Sequence, residues 1–332
     1  MPARGGKVKR DRLPLPSGHA MARAMEHASE LDRLIGTAMS WRPARMAIAT
    51  VIATWGSAPR PRGSHMVVHE DGRFEGSVSG GCVEGAVLHA AAETIADGQT
   101  RRLAFGVADG SAWEVGLPCG GEIELLVQPV AEAGFAPDLF DRIKEARARG
   151  EALTVTTDLV SGESRAAGDP GEGRFINRYT PPRRLLIVGA VQIAQSLASI
   201  ARTLDVTPVV IDPRGRFLTE DRFPGVTLDD RWPDEGIAAL NPDAATAVVT
   251  LSHDPKIDDP ALIAALASPA FYVAALGSRR SHAKRLERLA AAGVSDEALA
   301  RIDAPAGLAI GAQGPAEIAL SIAAGMIRTF RG

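Results

Sequence analysis

The sequence predicts an α/β protein in which an N-terminal α+β domain is followed by a doubly wound Rossmann-type parallel-sheet domain. Three observations carry this. From residue 183 onward, short apolar runs of β-forming residues alternate with helical runs, the pattern of βαβ units around a parallel sheet. Gly189 closes the first of these runs and Asp212 the next, 23 positions later, where such a domain places its tight-turn glycine and its ribose-binding acid. Upstream, residues 161–182 are rich in Gly, Pro and charge with few apolar anchors, the composition of a domain boundary. The expected organisation is a disordered basic tail over 1–20, a cysteine-bearing domain over 21–165, a linker over 166–182 and the Rossmann-like domain over 183–332.

Taken in order, residues 21–35 have apolar positions at helical spacing, and 46–55 read as a buried strand. The stretch Gly56-Ser-Ala-Pro-Arg-Pro-Arg-Gly-Ser64 is too rich in Pro and Gly to be anything but an ordered loop. Residues 66–69 and 73–75 flank a Glu-Asp-Gly turn, a hairpin signal. Gly76-Ser-Val-Ser-Gly-Gly81 leads through Cys82 into a helix over 83–96 that stops at Gly98. Leu117-Pro-Cys-Gly-Gly121 opens a strand over 122–128, and a helix (137–149) and a strand (152–159) follow. In the second half, strands are expected at 185–188, 208–211, 245–251 and 271–276. Helices are expected at 192–203, 259–267, 280–292 and 315–330.

With 332 residues, 45% hydrophobic and 23% charged, the chain has a globular composition and length enough for two domains. A net charge of −3 argues against nucleic acid as a partner, because phosphate backbones demand clustered Lys and Arg. Arg4, Lys7, Lys9, Arg10 and Arg12 are basic but lie among Gly and Pro, and no apolar run follows them, so they make no secretory signal. The longest strongly apolar run, 46–55, is about half of what a membrane span needs. The expectation is a cytoplasmic protein whose two cysteines, Cys82 and Cys119, are thiols rather than a disulfide framework.

The dinucleotide fingerprint of the second half is altered. The pattern should be Gly-x-Gly-x-x-Gly/Ala, and here it is Gly189-Ala-Val-Gln-Ile-Ala194. Val191 puts a branched side chain where a second glycine would let the backbone approach a pyrophosphate, which counts against NAD. Gly277-Ser-Arg-Arg280 combines a helix start with two guanidinium groups, a candidate phosphate or carboxylate site through Ser278, Arg279 and Arg280; loop-capping surface arginines are the bland alternative. His253 and Asp254 suggest an acid–base pair, and with them a rival function, an NAD(P)-dependent oxidoreductase.

Cys82 stands at a helix start, where unpaired amides and the helix dipole lower a thiol's pKa and attract anions. Cys119 stands at the mouth of a strand with the same lack of side-chain cover. Neither belongs to a CxxC pair or lies at zinc-finger spacing from a histidine, so a structural zinc site is not expected. Two small buried residues in tight turns are the bland account, a shared site the functional one, and a thiol redox pair a third.

The three glycine-rich segments of the first half, together with Leu276-Gly-Ser-Arg-Arg280 and Ile310-Gly-Ala-Gln-Gly-Pro-Ala-Glu-Ile-Ala319, resemble the XdhC/CoxI family in order over nearly the whole chain. The resemblance implies a cytoplasmic accessory protein, expected as a homodimer, that binds the molybdenum cofactor (molybdopterin) and protects it during sulfuration by a cysteine desulfurase. Delivery would be to a xanthine dehydrogenase-type apoenzyme. Cys82 and Cys119 would then be nearest the metal, with Gly80, Gly81, Gly120, Gly121, Arg60 and Arg62 holding the anionic ends. Gly189 and Asp212 would serve a nucleotide. The family pattern Gly-Ala-Gly-His-Val-Gly is not kept at residues 189–194, where Gln192 also replaces the histidine.

Overall fold

The structure, a computed structural model, describes residues 29–58, 60–81, 83–106, 121–166 and 171–332. Cys82, Cys119, Gly120 and the expected tail lie outside the described residues. Helix α1 is Glu30–Ser40, started by Ser29, whose hydroxyl accepts the Asp32 amide at 3.1 Å. It runs past the expected end at Ile35 because Leu34, Ile35 and Ala38 form one continuous buried face.

Strands β1 (Met46–Trp55), β2 (His65–His69) and β3 (Phe74–Gly76) precede helix α2 (Glu84–Asp97), and β4 (Arg101–Phe105) and β5 (Glu122–Pro129) follow it. Among the described residues they form an antiparallel sheet in the order β3-β2-β1-β5-β4. Strand β1 is apolar on both faces because both are covered. Ala47, Ala49 and Val51 pack under α2, through Val87, Ala90 and Ala91. Met46 and Ile48 pack under α1 and under α3 (Asp138–Ala148), through Ile35, Phe140 and Ile143. Strand β4 escaped the sequence reading: it is a sheet edge, and its Arg-Arg-Leu-Ala-Phe alternation exposes every second residue.

The expected linker requires correction. Strands β6 (Leu153–Asp158), β7 (Ser164–Ala166) and β8 (Arg174–Tyr179) form a small antiparallel sheet in the order β7-β6-β8. Strand β8 has apolar anchors at period two, Phe175 and Tyr179, while Arg174, Ile176 and Arg178 face out.

Beyond residue 183, β9 (Arg184–Val188), α4 (Gln192–Thr203), β10 (Thr207–Ile211), β11 (Thr227–Asp229) and α5 (Pro233–Leu240) lead to β12 (Thr246–Thr250). Helix α6 (Pro255–Leu266), β13 (Tyr272–Ala275), α7 (Arg279–Ala291), α8 (Asp296–Leu299), β14 (Ile302–Asp303) and α9 (Pro315–Arg331) complete the chain. The six strands are all parallel, in the order β11-β10-β9-β12-β13-β14. This is the doubly wound Rossmann order, with its switch point between β9 and β12. Helices α4 and α9 bury Leu197, Ala201, Ile322 and Met326 on one face. Helices α6 and α7 bury Ile257, Leu262 and Leu289 on the other.

The described joints between the two halves lie at the amino-terminal edge of this parallel sheet. The Glu30 amide donates to Asp205 at 2.9 Å, just ahead of β10. Arg147, 7% exposed, holds Asp32 with two bonds of 2.8 and 3.0 Å, the Ser29 hydroxyl at 2.9 Å and the Thr180 carbonyl. Burial pushes the Asp32 carboxyl up, but the Arg147 guanidinium and the Ser29 cap outweigh it and hold it below the usual range. That depressed value makes the stabilisation complete above the unfolded carboxylate's pKa and lost as pH falls through the folded one. Arg147→Leu strands the Asp32 carboxylate and the Thr180 carbonyl, so it is expected to lower stability by about 2–4 kcal/mol at neutral pH and by less in acid. Urea melts at two pH values check this; equal losses at both would count against it.

Candidate functional site

The pairing register sends three motif loops out of one end of the N-terminal sheet. Trp55 pairs with Glu122, Phe105 with Ile123 and Met66 with Gly76. The 56–64 loop and the segment entering β5 at Gly121 therefore start side by side, while the turn after Gly76 leaves the same end of the sheet at the level of Ala49. The first two touch: a Cβ on Gly121 would stand 2.6 Å from the Ser57 carbonyl oxygen, so only glycine fits. These loops carry the described neighbours of both cysteines, Gly81 and Val83 around Cys82 and Gly121 two residues after Cys119.

The turn from Ser77 to Gly81 is built around a residue that sequence reasoning missed. The Glu84 carboxylate accepts the Ser77 hydroxyl at 2.7 Å, the Ser79 amide at 3.0 Å, the Gly81 amide at 2.8 Å and the Ser79 hydroxyl. Burial raises the Glu84 pKa, yet these donors prevail and bring it down to about 2. The amides expected to greet an anionic ligand thus already hold an anion of the chain. Gly80 and Gly81, at φ of 76° and 121°, meet none of the described residues within 4 Å on the side a Cβ would occupy.

Arg60 and Arg62 are tethered within the fold. Arg60 pairs with Glu30, although its Nε is buried without a partner. Arg62 donates to the Ile52 carbonyl at 3.0 Å and stacks over Phe175 at 4.7 Å. Strand β8 grips the same loop: Asn177 Nδ2 donates to the Gly63 carbonyl at 3.4 Å and lies 3.1 Å from His65 Nε2. His65 is buried between Thr50 and Tyr179, and burial lowers its pKa to about 4, so it is neutral at pH 7. Arg60, Arg62, Arg147, Arg178, Tyr179 and Asp205 are among the residues around a cavity of about 270 Å³ below this loop.

At the carboxyl edge of the parallel sheet, Gly189 sits at φ 103°, and a Cβ there would meet the Ser252 amide nitrogen at 2.8 Å. Asp212 is fully buried. Its oxygens accept the Ala190 amide at 2.7 Å, the Arg214 amide at 2.9 Å and the Arg214 guanidinium at 2.8 and 2.7 Å. The acid expected to take ribose hydroxyls is therefore saturated by the protein itself. His253 and Asp254 make no side-chain pair. Asp254 caps α6 through the Lys256 amide at 2.9 Å, and its helix starts at Pro255, ahead of the expected 259. His253 is exposed at φ 62°, and its amide donates to Asp258 at 3.1 Å. Asp258 also takes the Ser252 hydroxyl at 2.7 Å, and burial raises its pKa.

Ser278 caps α7, and Arg279 and Arg280 are exposed beyond it. Neither pairs with Asp254 or Asp258; the guanidinium facing Asp258 belongs to Arg285, at 3.9 Å. Arg285 was unforeseen, although its place four residues before the buried Leu289 marks the inner face of α7. The expected site residues thus fall into two groups. Arg60, Arg62, Gly80, Gly81 and Gly121 belong to one end of the first sheet. Gly189, Asp212, Ser278, Arg279 and Arg280 line the carboxyl edge of the second. Among the described residues no cluster of three or more His, Cys, Asp or Glu could hold a metal ion, and no helix is long and apolar enough to cross a membrane.

This pairing of a loop-bearing antiparallel sheet with a Rossmann domain defines a class. Residues 185–326 match the family described as the XdhC Rossmann domain and residues 41–106 the XdhC and CoxI family. The chain is 32% identical over 301 residues to the molybdenum cofactor insertion chaperone PaoD of Escherichia coli (strain K12), covering 90% of this chain and 87% of that protein. It is 25% identical over 314 residues to a probable xanthine dehydrogenase subunit of Bacillus subtilis (strain 168), covering 85% and 92%. A crystal structure described as a xanthine dehydrogenase from Bacillus halodurans shares the fold at a TM-score of 0.74 and 24% identity, covering 91% of this chain and 96% of that one. The chain belongs to the XdhC and CoxI family.

Two outcomes follow from this geometry. Glu84→Gln replaces an acceptor of four donors by an amide that brings its own N–H groups, and should cost about 1–3 kcal/mol. The Glu84 pKa is depressed, so its contribution is full above about 4.5 and fades as pH falls toward about 2. The variant's acid-unfolding curve should flatten across that window, and an unchanged curve would show the carboxylate is not the anchor. NAD and NADP should not bind with micromolar affinity, because Val191 and the saturated Asp212 remove both dinucleotide contacts; a micromolar isotherm in calorimetry would overturn this.

Proposed function

We propose that this protein binds the molybdenum cofactor and passes it to an apoenzyme of the molybdo-flavo hydroxylase type, xanthine dehydrogenase among them, after sulfuration by a cysteine desulfurase. The observation that carries the reading is that all three motif loops leave one end of the first sheet, two of them in contact. It is supported by the 32% identity to a protein named for molybdenum cofactor insertion. The residues present suit such a group. No described residue covers the Cβ side of Gly80 and Gly81, and Gly121 lets the loop at Ser57 come close. Thiolates are soft ligands of the kind thiophilic molybdenum takes. When bound, the cofactor would supply the metal and its dithiolene. The chain's part is to hold it: Cys82 and Cys119 as soft donors, the glycines as close-approach surface, and Arg60 and Arg62 near its anionic end. No acid–base pair for hydride chemistry forms at His253 and Asp254, so nothing favours the oxidoreductase reading.

The reading is tested by co-expression with cofactor biosynthesis, followed by molybdenum and pterin assay of the purified chain. Near-stoichiometric molybdenum is expected, falling at least about tenfold in Cys82→Ser or Cys119→Ser, the order of effect of one lost strong contact. Both variants should stay within about 1 kcal/mol of the parent's stability, since each change swaps one small side chain for another of nearly the same size. A molybdenum-free parent, or serine variants that retain the metal, would sink the proposal.

A further inference from the structure

The turn where β13 enters α7 differs from the other strand-to-helix turns described above. Glu84, Asp212 and Asp258 each take up amides of such a turn, whereas the turn through Gly277 has no carboxylate. Ser278 caps it, accepting the Ser281 amide at 3.2 Å, and the Ser281 hydroxyl donates back to the Ser278 carbonyl at 2.8 Å. Gly277 lies at φ 142°, and a Cβ there would stand 2.6 Å from Ser281 Oγ, so the turn admits only glycine.

Beneath this turn lies Arg285, 4% exposed. Its Nη2 donates to the Leu276 carbonyl at 2.9 Å and is 3.7 Å from where a Gly277 Cβ would be. Its Nε and Nη1 are buried without any partner. A buried guanidinium with two unmade hydrogen bonds is costly unless something completes it. Asp258 stands 3.9 Å away but is already occupied by the Ser252 hydroxyl and the His253 amide. Asp259 is taken by Arg288 at 2.5 and 2.9 Å. His282, whose Nδ1 also lacks a partner, is kept from charging by its burial and by the nearby Arg285. The positive end of a 13-residue helix, Arg285 below it and the exposed Arg279 and Arg280 therefore add at one place.

We propose that the Gly277–Ser281 turn binds a phosphate or diphosphate group, received by the first amides of α7 and by Arg279 and Arg280, with the buried charge of Arg285 beneath. Arginine suits this role because its planar fork matches phosphate oxygens. Arg285 acts as a positioning residue, its buried charge beside Gly277 drawing the anion toward the turn. The site goes beyond the cofactor reading and does not depend on it.

The test is calorimetric titration of the full-length protein with pyrophosphate and with inorganic phosphate at constant ionic strength. One saturable site is expected for at least one of these probes. Arg279→Ala/Arg280→Ala should weaken it about tenfold or more with an unchanged melting temperature, and Arg285→Lys should weaken it less than Arg285→Met. Arg214→Ala should bind like the parent, because Arg214 is already neutralised by Asp212. Absence of saturable binding, parent-like affinity in the folded double variant, or loss confined to Arg214→Ala would each overturn the proposal. None of these titrations involves molybdenum, so their failure is distinguishable from failure of the cofactor reading.

Discussion

The carboxylate of Glu84 holds the turn that leads into α2, and the same device recurs at the turns after β9 and β12. The amides of a turn that leads from a strand into a helix belong to neither ladder and need partners of their own. A buried amide left without one costs on the order of 1–3 kcal/mol. Glu84 answers this for Ser79 and Gly81, Asp212 for Ala190, and Asp258 for Ser252 and His253. Each is a charged acceptor, so each bond is stronger than a neutral one. The turns are consequently set by the chain's own carboxylates, and Gly80 and Gly81 stand on a loop that is already fixed.

The same device explains why a Rossmann sheet need not bind a dinucleotide. The strand order and the Gly189 turn are intact, but the Ala190 amide and the acid of β10 satisfy one another, and Arg214 closes the pair. A ribose competing for Asp212 would have to displace a bidentate guanidinium from a fully buried carboxylate. Val191 blocks the backbone from the other side. The sequence departure and the hydrogen-bond pattern are thus two aspects of one change, the conversion of a ligand-binding turn into an internally completed one.

The main alternation from β9 to α9 was legible because parallel strands covered on both faces are nearly continuous apolar runs, whereas the short elements β11, α5, α8 and β14 were not expected. The hairpin of β2 and β3 was legible from its turn. Strand β8 was not, because Phe175 and Tyr179 are separated by Ile176, Asn177 and Arg178 and enclosed by Gly and Pro, so composition suggested a linker. The site was legible as motifs but not as partnerships. Glu84 reads as a surface acid at a helix start, and only the fold shows that it turns back on the Gly81 amide. Arg285 reads as one of several basic residues on α7, and only packing against β13 separates it from Arg279 and Arg280. In both cases the missing information was which long-range neighbour completes a polar group, something local periodicity does not encode.

The placement of the joint between the two halves bears on how the two groups of site residues relate. Glu30 and Arg147 hold the second half at Asp205 and Thr180, ahead of β10 and β9, and the 60–64 loop borders the same cavity as Asp205. The Gly277 turn and the Gly189 turn lie at the opposite ends of those strands. Strand β10 has five residues, so at about 3.3 Å per residue the two edges are about 17 Å apart. A ligand small enough to sit among the 56–64 loop residues does not also reach the α7 turn of the same chain across that span. The carboxyl edge is therefore left clear of the described joints. The sheet that separates the two edges also ties them together, because both ends of β9 and β10 belong to one rigid set of parallel strands.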